Sequence, residues 1–217
     1  MKTDNLWQNF LTEVSEQVSP TTYNVWFNDL NLIKIDNDKM RFMLFTSGTT
    51  SMSKAVMLSN NNIASNIYGI VLAEKIYDTD VNMAFLPLHH MFGSTALLLF
   101  LSRGATNVFC DGLRHIQENL KEYKVSVFVC VPLLLEGIYK KIMAQVEKQG
   151  KTKLIKFARK LSGFLLKFKI DIRRKLFKQI LDNLGGSIRF VVSGAAALDK
   201  EVASALNDFG ILTVQGY

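Results

Sequence analysis

Little in this sequence suits an extracellular, metal-built or membrane-spanning protein. Two cysteines occur in 217 residues, Cys110 and Cys130, each inside an apolar run (NVFC and VFVC). That setting fits reduced, buried thiols and no disulfide or metal framework. The three histidines show no ligand spacing, so no metal-binding residue is predicted. The amino terminus, MKTDNLWQNF, lacks the apolar centre of a signal peptide, and the longest apolar stretch, Thr95 to Leu101, is too short to cross a bilayer and reads as a core helix. A cytoplasmic location is expected. Internal repeats, low-complexity tracts and a Pro-, Gly- or Ser-rich linker are also missing. With 48% hydrophobic and 21% charged residues, the chain has the composition of a globular protein able to bury a core.

Acidic residues are scarce in one place. Residues 140 to 178 hold fourteen Lys or Arg against Glu147 and Asp171, a balance of +12, which leaves −5 for the rest of a chain whose net charge is +7. The segment has helical apolar spacing, with Leu154, Phe157, Leu161, Leu165 and Phe168 recurring, and no aromatic stacking or groove-reading motif. Nucleic acid is therefore not expected as a partner. Two readings stay open: a solvated helical face, or peripheral contact with an anionic membrane at its inner face.

Along the chain, Leu6, Trp7, Phe10, Leu11 and Val14 have helical spacing, and Tyr23, Trp26, Phe27 and Leu30 mark a second helix after Ser19-Pro20. Phe42 to Phe45 reads as a buried strand. Ser59 or Asn60 can cap a helix whose face carries Ile63, Ile67, Ile70 and Val71. Strands are then predicted at Val81–Leu86, Thr106–Cys110, Val125–Val131, Ile188–Val192 and Leu212–Gln215. Helices are predicted at Ser94–Ser102, Leu113–Tyr123 and Asp199–Phe209, with long helices filling 133 to 183. Nearly continuous apolar strands alternating with helices predict an α/β fold, a mostly parallel sheet with helices on both faces, preceded by a small helical segment. Ligands of such sheets bind at the carboxyl ends of strands.

The stretch Phe45 to Asn60, FTSGTTSMSKAVMLSN, carries the strongest chemical signal. Seven of the eight residues from Thr46 to Ser53 are hydroxyl-bearing or glycine. Backbone N–H groups beside Gly48 can approach a phosphate, the hydroxyls of Thr46, Ser47, Thr49 and Thr50 add donors, and Lys54 brings a cation. About 4 Å from one phosphate charge, a lysine gains roughly 4 kcal/mol at an effective dielectric near 20, before desolvation. The pattern is not a Walker loop, because Ser53 and Ala55 stand where that motif needs glycine and a hydroxyl.

The order SGTTSMSK between apolar segments resembles the phosphate loop of the adenylate-forming (AMP-binding) superfamily, which usually has Gly at the positions of Ser51 and Ala55 and often Pro at that of Ser53. Three further loops carry the same resemblance. PLHHMFG, Pro87 to Gly93, is similar to P-L-x-H-x-x-G, whose histidine, matching His90, lies beside the carboxylate being activated; His89 falls at a variable position. SGAAAL, Ser193 to Leu198, resembles the adenine loop, which implies nucleotide contact for Gly194, Ala195 and Ala196. QGY, Gln215 to Tyr217, resembles the start of G-Y-G-x-T-E, which implicates Gly216 and a stacking ring at Tyr217. His115, on a polar helix, is given no role.

The basic helical stretch is similar to that of bacterial long-chain fatty acyl-CoA synthetases. The resemblance implies an ATP-dependent ligase that converts a fatty acid to an acyl-adenylate and passes it to coenzyme A. Lys54 and His90 would be its catalytic residues, and ATP, Mg2+ and coenzyme A its cofactors or co-substrates. The family's magnesium-holding glutamate would follow Tyr217, so the 217-residue chain is expected to be catalytically inactive alone. Residues 1 to 35 instead resemble the first domain of the bacterial replication initiator DnaA, which implies a partner of helicase type. Asp36 to Met40 could belong to either parent. Together the two resemblances imply a chimera, with a helical segment at 1–38 and a partial AMP-binding domain at 39–217; the competing expectation is an interaction module followed by an inert remainder.

Overall fold

The computed structural model describes residues 36–46 and 54–216. The predicted helices before residue 35 lie outside that range. Two compact units are present, Met1–Lys75 and Ile76–Tyr217.

In the first unit, β1 (Met40–Thr46) pairs antiparallel with β2 (Lys54–Ser59), Thr46 standing opposite Lys54. The prediction of a buried strand at Phe42 to Phe45 is corrected here. The strand exists, but it lies in a two-stranded hairpin, with Phe45 70% and Met43 48% exposed. The sequence reading also missed β2. Ser59 then caps α1 (Asn60–Ala73) in a reciprocal capping box: its Oγ accepts from Asn62 N, and Asn62 Oδ1 accepts from Ser59 N at 2.9 Å.

The second unit contains a five-stranded, wholly parallel sheet in the order β4-β3-β5-β6-β7. Its elements in chain order are β3 (Val81–Ala84), α2 (Met91–Ser102), β4 (Thr106–Phe109), α3 (Ile116–Glu122), β5 (Val127–Cys130) and α4 (Pro132–Lys148). Then come α5 (Thr152–Leu166), α6 (Arg173–Leu176), α7 (Lys178–Asp182), β6 (Phe190–Gly194), α8 (Lys200–Asp208) and β7 (Leu212–Gly216). The predicted α/β class is therefore what the chain adopts, with elements trimmed by one to three residues at most ends. The long helices expected over 133 to 183 are α4 and α5, with α6 and α7 much shorter. Gly150 at φ +68° ends α4 and Lys169 at φ +61° ends α5.

From β3 the chain moves outward to β4, returns past β3 to β5, and then proceeds the other way through β6 and β7. Right-handed crossovers put α2 on one face and α3, α4 and α8 on the other. The packing agrees. Ile116, Leu120, Leu135, Ile138, Ile142, Val202 and Leu206 join one core with Phe128 and Val191 of the sheet, whereas Leu99 and Phe100 of α2 are buried separately from it. Cys130 is buried in that core and Cys110 is half-buried; both thiols are free.

The amino ends of the strands are tied by charge. Asp80, 3% exposed, accepts from Tyr77 N at 2.8 Å and from Ser126 Oγ at 2.7 Å, and it pairs with the Arg189 guanidinium. These residues precede β3, β5 and β6, so one carboxylate fastens three strand entries. The carboxyl ends lead into the loops described next.

Candidate functional site

The reversal of direction between β3 and β5 is the feature that places a site. The connection leaving β3 runs to one side and that leaving β5 to the other, so their first turns part and leave a crevice at the carboxyl end of the sheet. Pro87 to Gly93 sits at this point. His90 is the N-cap of α2 in an extended conformation, φ −103° and ψ 133°, with its side chain exposed and not used for capping. Its amide donates to Pro87 O at 3.0 Å, and its carbonyl accepts from Gly93 N at 3.0 Å and Ser94 N at 3.1 Å. A Cβ at Gly93 would stand 2.5 Å from Pro87 O, so only glycine lets the turn close this tightly.

The second loop leaves β6. Ser193 and Gly194 are its last strand residues, Ala195 takes φ +70°, and Ala195 and Ala196 are exposed. A Cβ at Gly194 would stand 2.6 Å from Cζ of Phe92, so the Phe92 ring lies directly on that glycine's backbone. The contact joins the first turn of α2 to the end of β6, two strands away, and brings the His90 loop and the Gly194 loop together. Sequence reasoning missed Phe92. Its signal was an apolar residue inside the histidine motif, which also suits an ordinary core position. Ser193 Oγ is fully buried beside these loops and has no hydrogen-bond partner.

The third loop follows β7. Gly194 is in register with Gly216, which is exposed, and Gln215 Oε1 accepts from Leu198 N at 3.1 Å, linking the ends of β6 and β7. Gly194, Ala195, Ala196, Gly216 and His90 thus all lie at the carboxyl end of one sheet. Ala195, Ala196 and Gly216 are exposed there, whereas Gly194 is buried beneath Phe92.

Lys54 and Thr46 belong to the other unit, where they face each other across the hairpin at the ends of the strands that bracket residues 47–53. The Lys54 side chain is exposed. Ser47, Gly48, Thr49, Thr50 and Tyr217 lie outside the described residues. His115 stands at the N-cap position of α3 without a side-chain capping bond and bonds Glu118 at 2.9 Å; hydrogen bonding and the charge of Glu118 raise its pKa. Among the described residues no group of three or more His, Cys, Asp or Glu could hold a metal ion. No described helix is long and apolar enough to cross a membrane.

A parallel sheet with small-residue loops at its switch point is a nucleotide-binding design in general, and comparison with known proteins narrows it. The family model described as AMP-binding enzyme matches residues 4–217, and the chain belongs to that family. It is 31% identical over 191 residues to long-chain-fatty-acid–CoA ligase 1 of Cavia porcellus, covering 83% of this chain and 27% of that protein. It is 32% identical over 188 residues to the peroxisomal long chain acyl-CoA synthetase 6 of Arabidopsis thaliana, again covering 83% and 27%. The chain therefore spans between a quarter and a third of the length of these curated relatives. The inhibitor-bound N-terminal domain of FACL13 from Mycobacterium tuberculosis shares the fold, with a TM-score of 0.61 at 18% identity over 86% of this chain and 38% of that one. Apo MatB from Rhodopseudomonas palustris does so with a TM-score of 0.57 at 21% identity, covering 85% and 30%. The family match begins at residue 4 and so runs through most of the stretch that resembles the replication initiator; that resemblance and the helicase-type partner it implied find no support in these comparisons.

Proposed function

We propose that this chain forms part of an ATP-dependent acid–CoA ligase acting on a long-chain fatty acid, through an acyl-adenylate that is then transferred to coenzyme A. The observation that carries the reading is the packing of Phe92 on Gly194, which brings the His90 turn and the small-residue turn after β6 to one end of the sheet. The names of relatives about 30% identical support the substrate class.

In this reading Ala195 and Ala196 offer exposed backbone to the adenine, Gly194 sets the start of that turn under the Phe92 ring, and Gly216 and the stacking ring of Tyr217 complete the adenine site. His90, free of capping duty, donates to or orients the fatty carboxylate. Thr46, Ser47, Gly48, Thr49, Thr50 and Lys54 hold the phosphates and offset charge on the departing pyrophosphate, a task in which placement of charge does most of the work. The carboxylate oxygen attacks the α-phosphorus and pyrophosphate leaves; the thiol of coenzyme A then displaces AMP.

ATP affinity measured by equilibrium dialysis tests the reading. Lys54→Ala should weaken binding roughly 10- to 150-fold, the equivalent of losing one charged hydrogen bond worth about 1.5–3 kcal/mol. Lys121→Ala, an exposed lysine on α3, should leave it unchanged. Equal effects of the two would remove Lys54 from the site.

A further inference from the structure

The helices between β5 and β6 do not pack solidly against one another. A cavity of about 190 Å³ lies between α4, α5 and the α6–α7 segment. Protein interiors rarely leave voids larger than a water molecule, so a gap of this size calls for a cause. Helix α5 supplies it. Only Ala158 and Ser162 of that helix turn fully inward, and neither side chain is long enough to fill the space towards α4 and α7.

The lining divides by chemistry. Ile142, Val146, Ala158, Phe177 and Ile180 are buried and form an apolar floor. Gln145, Gln149, Lys151, Gln179 and Asn183 stand around the opening, and among the described residues no aspartate or glutamate lines the cavity. Lys151 is half-buried, and its Nζ donates to Gln179 Oε1 at 3.4 Å, reaching from the start of α5 to α7. That partner is a neutral amide, and among the described residues no carboxylate pairs with this ammonium. Lys151 also occupies the N-cap position of α5, where the positive end of the helix reinforces its charge.

We propose that this cavity binds a medium-chain carboxylate, its alkyl tail on the apolar floor and its head paired with Lys151 at the opening. Size sets the tail. An apolar cavity of about 150 Å³ takes benzene, with six carbons, so this one holds roughly seven or eight. Charge sets the head: an alkylammonium would meet Lys151 and the positive end of α5, whereas a carboxylate pairs with the ammonium and accepts from the carboxamides beside it. No residue of the nucleotide site takes part, so the inference is independent of the ligase reading.

Photolabelling of the 217-residue chain with an octanoate that carries a terminal diazirine, mapped by mass spectrometry, tests the location. Label should fall in peptides spanning 142–158 and 176–183. Octanoate should displace it, and octylamine should do so at least about tenfold less well. Equilibrium dialysis should give a dissociation constant for octanoate at or below about 1 mM. Lys151→Gln should weaken octanoate roughly tenfold or more and leave octanol within about twofold of the parent. Ala158→Leu fills the cavity and should weaken both; where circular dichroism shows that variant unfolded, Ile155→Phe, at a half-buried position of the same lining, takes its place. Label confined to the turn after β3 would assign the carboxylate to the proposed acyl site alone and overturn the inference. So would equal displacement by octanoate and octylamine, an octanoate affinity untouched by Lys151→Gln or by the cavity-filling variant, or no saturable binding up to about 10 mM.

Discussion

Asp80 illustrates how a single buried carboxylate is kept charged. Burial alone pushes its pKa up, but the Arg189 hydrogen bonds, the Tyr77 amide, the Ser126 hydroxyl and the Arg189 charge outweigh that and hold it below the ordinary value. A carboxyl depressed on folding contributes stability that is present above its unfolded pKa, about 3.9, and is lost as pH falls through the folded value. Arg189→Met should cost about 2–3 kcal/mol at pH 7, below the range for a fully buried pair because the guanidinium is partly solvated. In urea titrations the gap between variant and parent should narrow below about pH 4. A gap that is constant with pH would mean that the arginine acts through packing alone. At the other end of the sheet, Gly194→Ala forces the Phe92 ring aside, and Phe92→Ala removes the obstacle. The double variant should be less destabilised than the sum of the singles by roughly 0.5–3 kcal/mol. Additive losses would mean that the ring yields without consequence.

Elements differ in how plainly the sequence announces them. Strands β5 and β6 were legible because each is a short, mostly apolar run, which is what burial on both faces demands, whereas β4 and β7 at the sheet edges carry polar and exposed positions and were legible from the alternation of strands with helices. Helix α8 was expected over Asp199–Phe209, and Asp199 proves to be its cap, its Oδ1 accepting from Glu201 N at 2.8 Å and Val202 N at 3.1 Å. Asp199→Ala should lower stability by about 1 kcal/mol in urea denaturation, and an unchanged midpoint would show that the cap is dispensable. Strand β2 was not legible: its first four residues are all exposed, so no alternation marks it, and only pairing with β1 makes it a strand. The end of α5 was hidden too. Neither Gly nor Pro stands there, and Lys169 takes the left-handed conformation that glycine usually supplies. In the candidate site, the loops were readable from their small residues and their position after strands. The partner of Gly194 was not, since Phe92 is remote in the chain and reaches it only through the sheet order.

At the scale of the molecule, the sheet and the charge assign separate tasks to separate places. The order β4-β3-β5-β6-β7 creates one switch point, and the exposed turns carrying His90, Gly194 and Gly216 gather at that end of the strands, while the cations concentrate on helices inserted between β5 and β6. The proposed ligase reading puts adenine against the turns after β6 and β7. Photolabelling with an 8-azido adenine nucleotide, followed by mass mapping of the modified peptide, tests it most directly. ATP-protected label is expected within the segments around Gly194 to Ala196 and Gly216, with loss of that label in Gly194→Val. Protected label confined to peptides distant from both turns, such as those of α3 or α5, would contradict it.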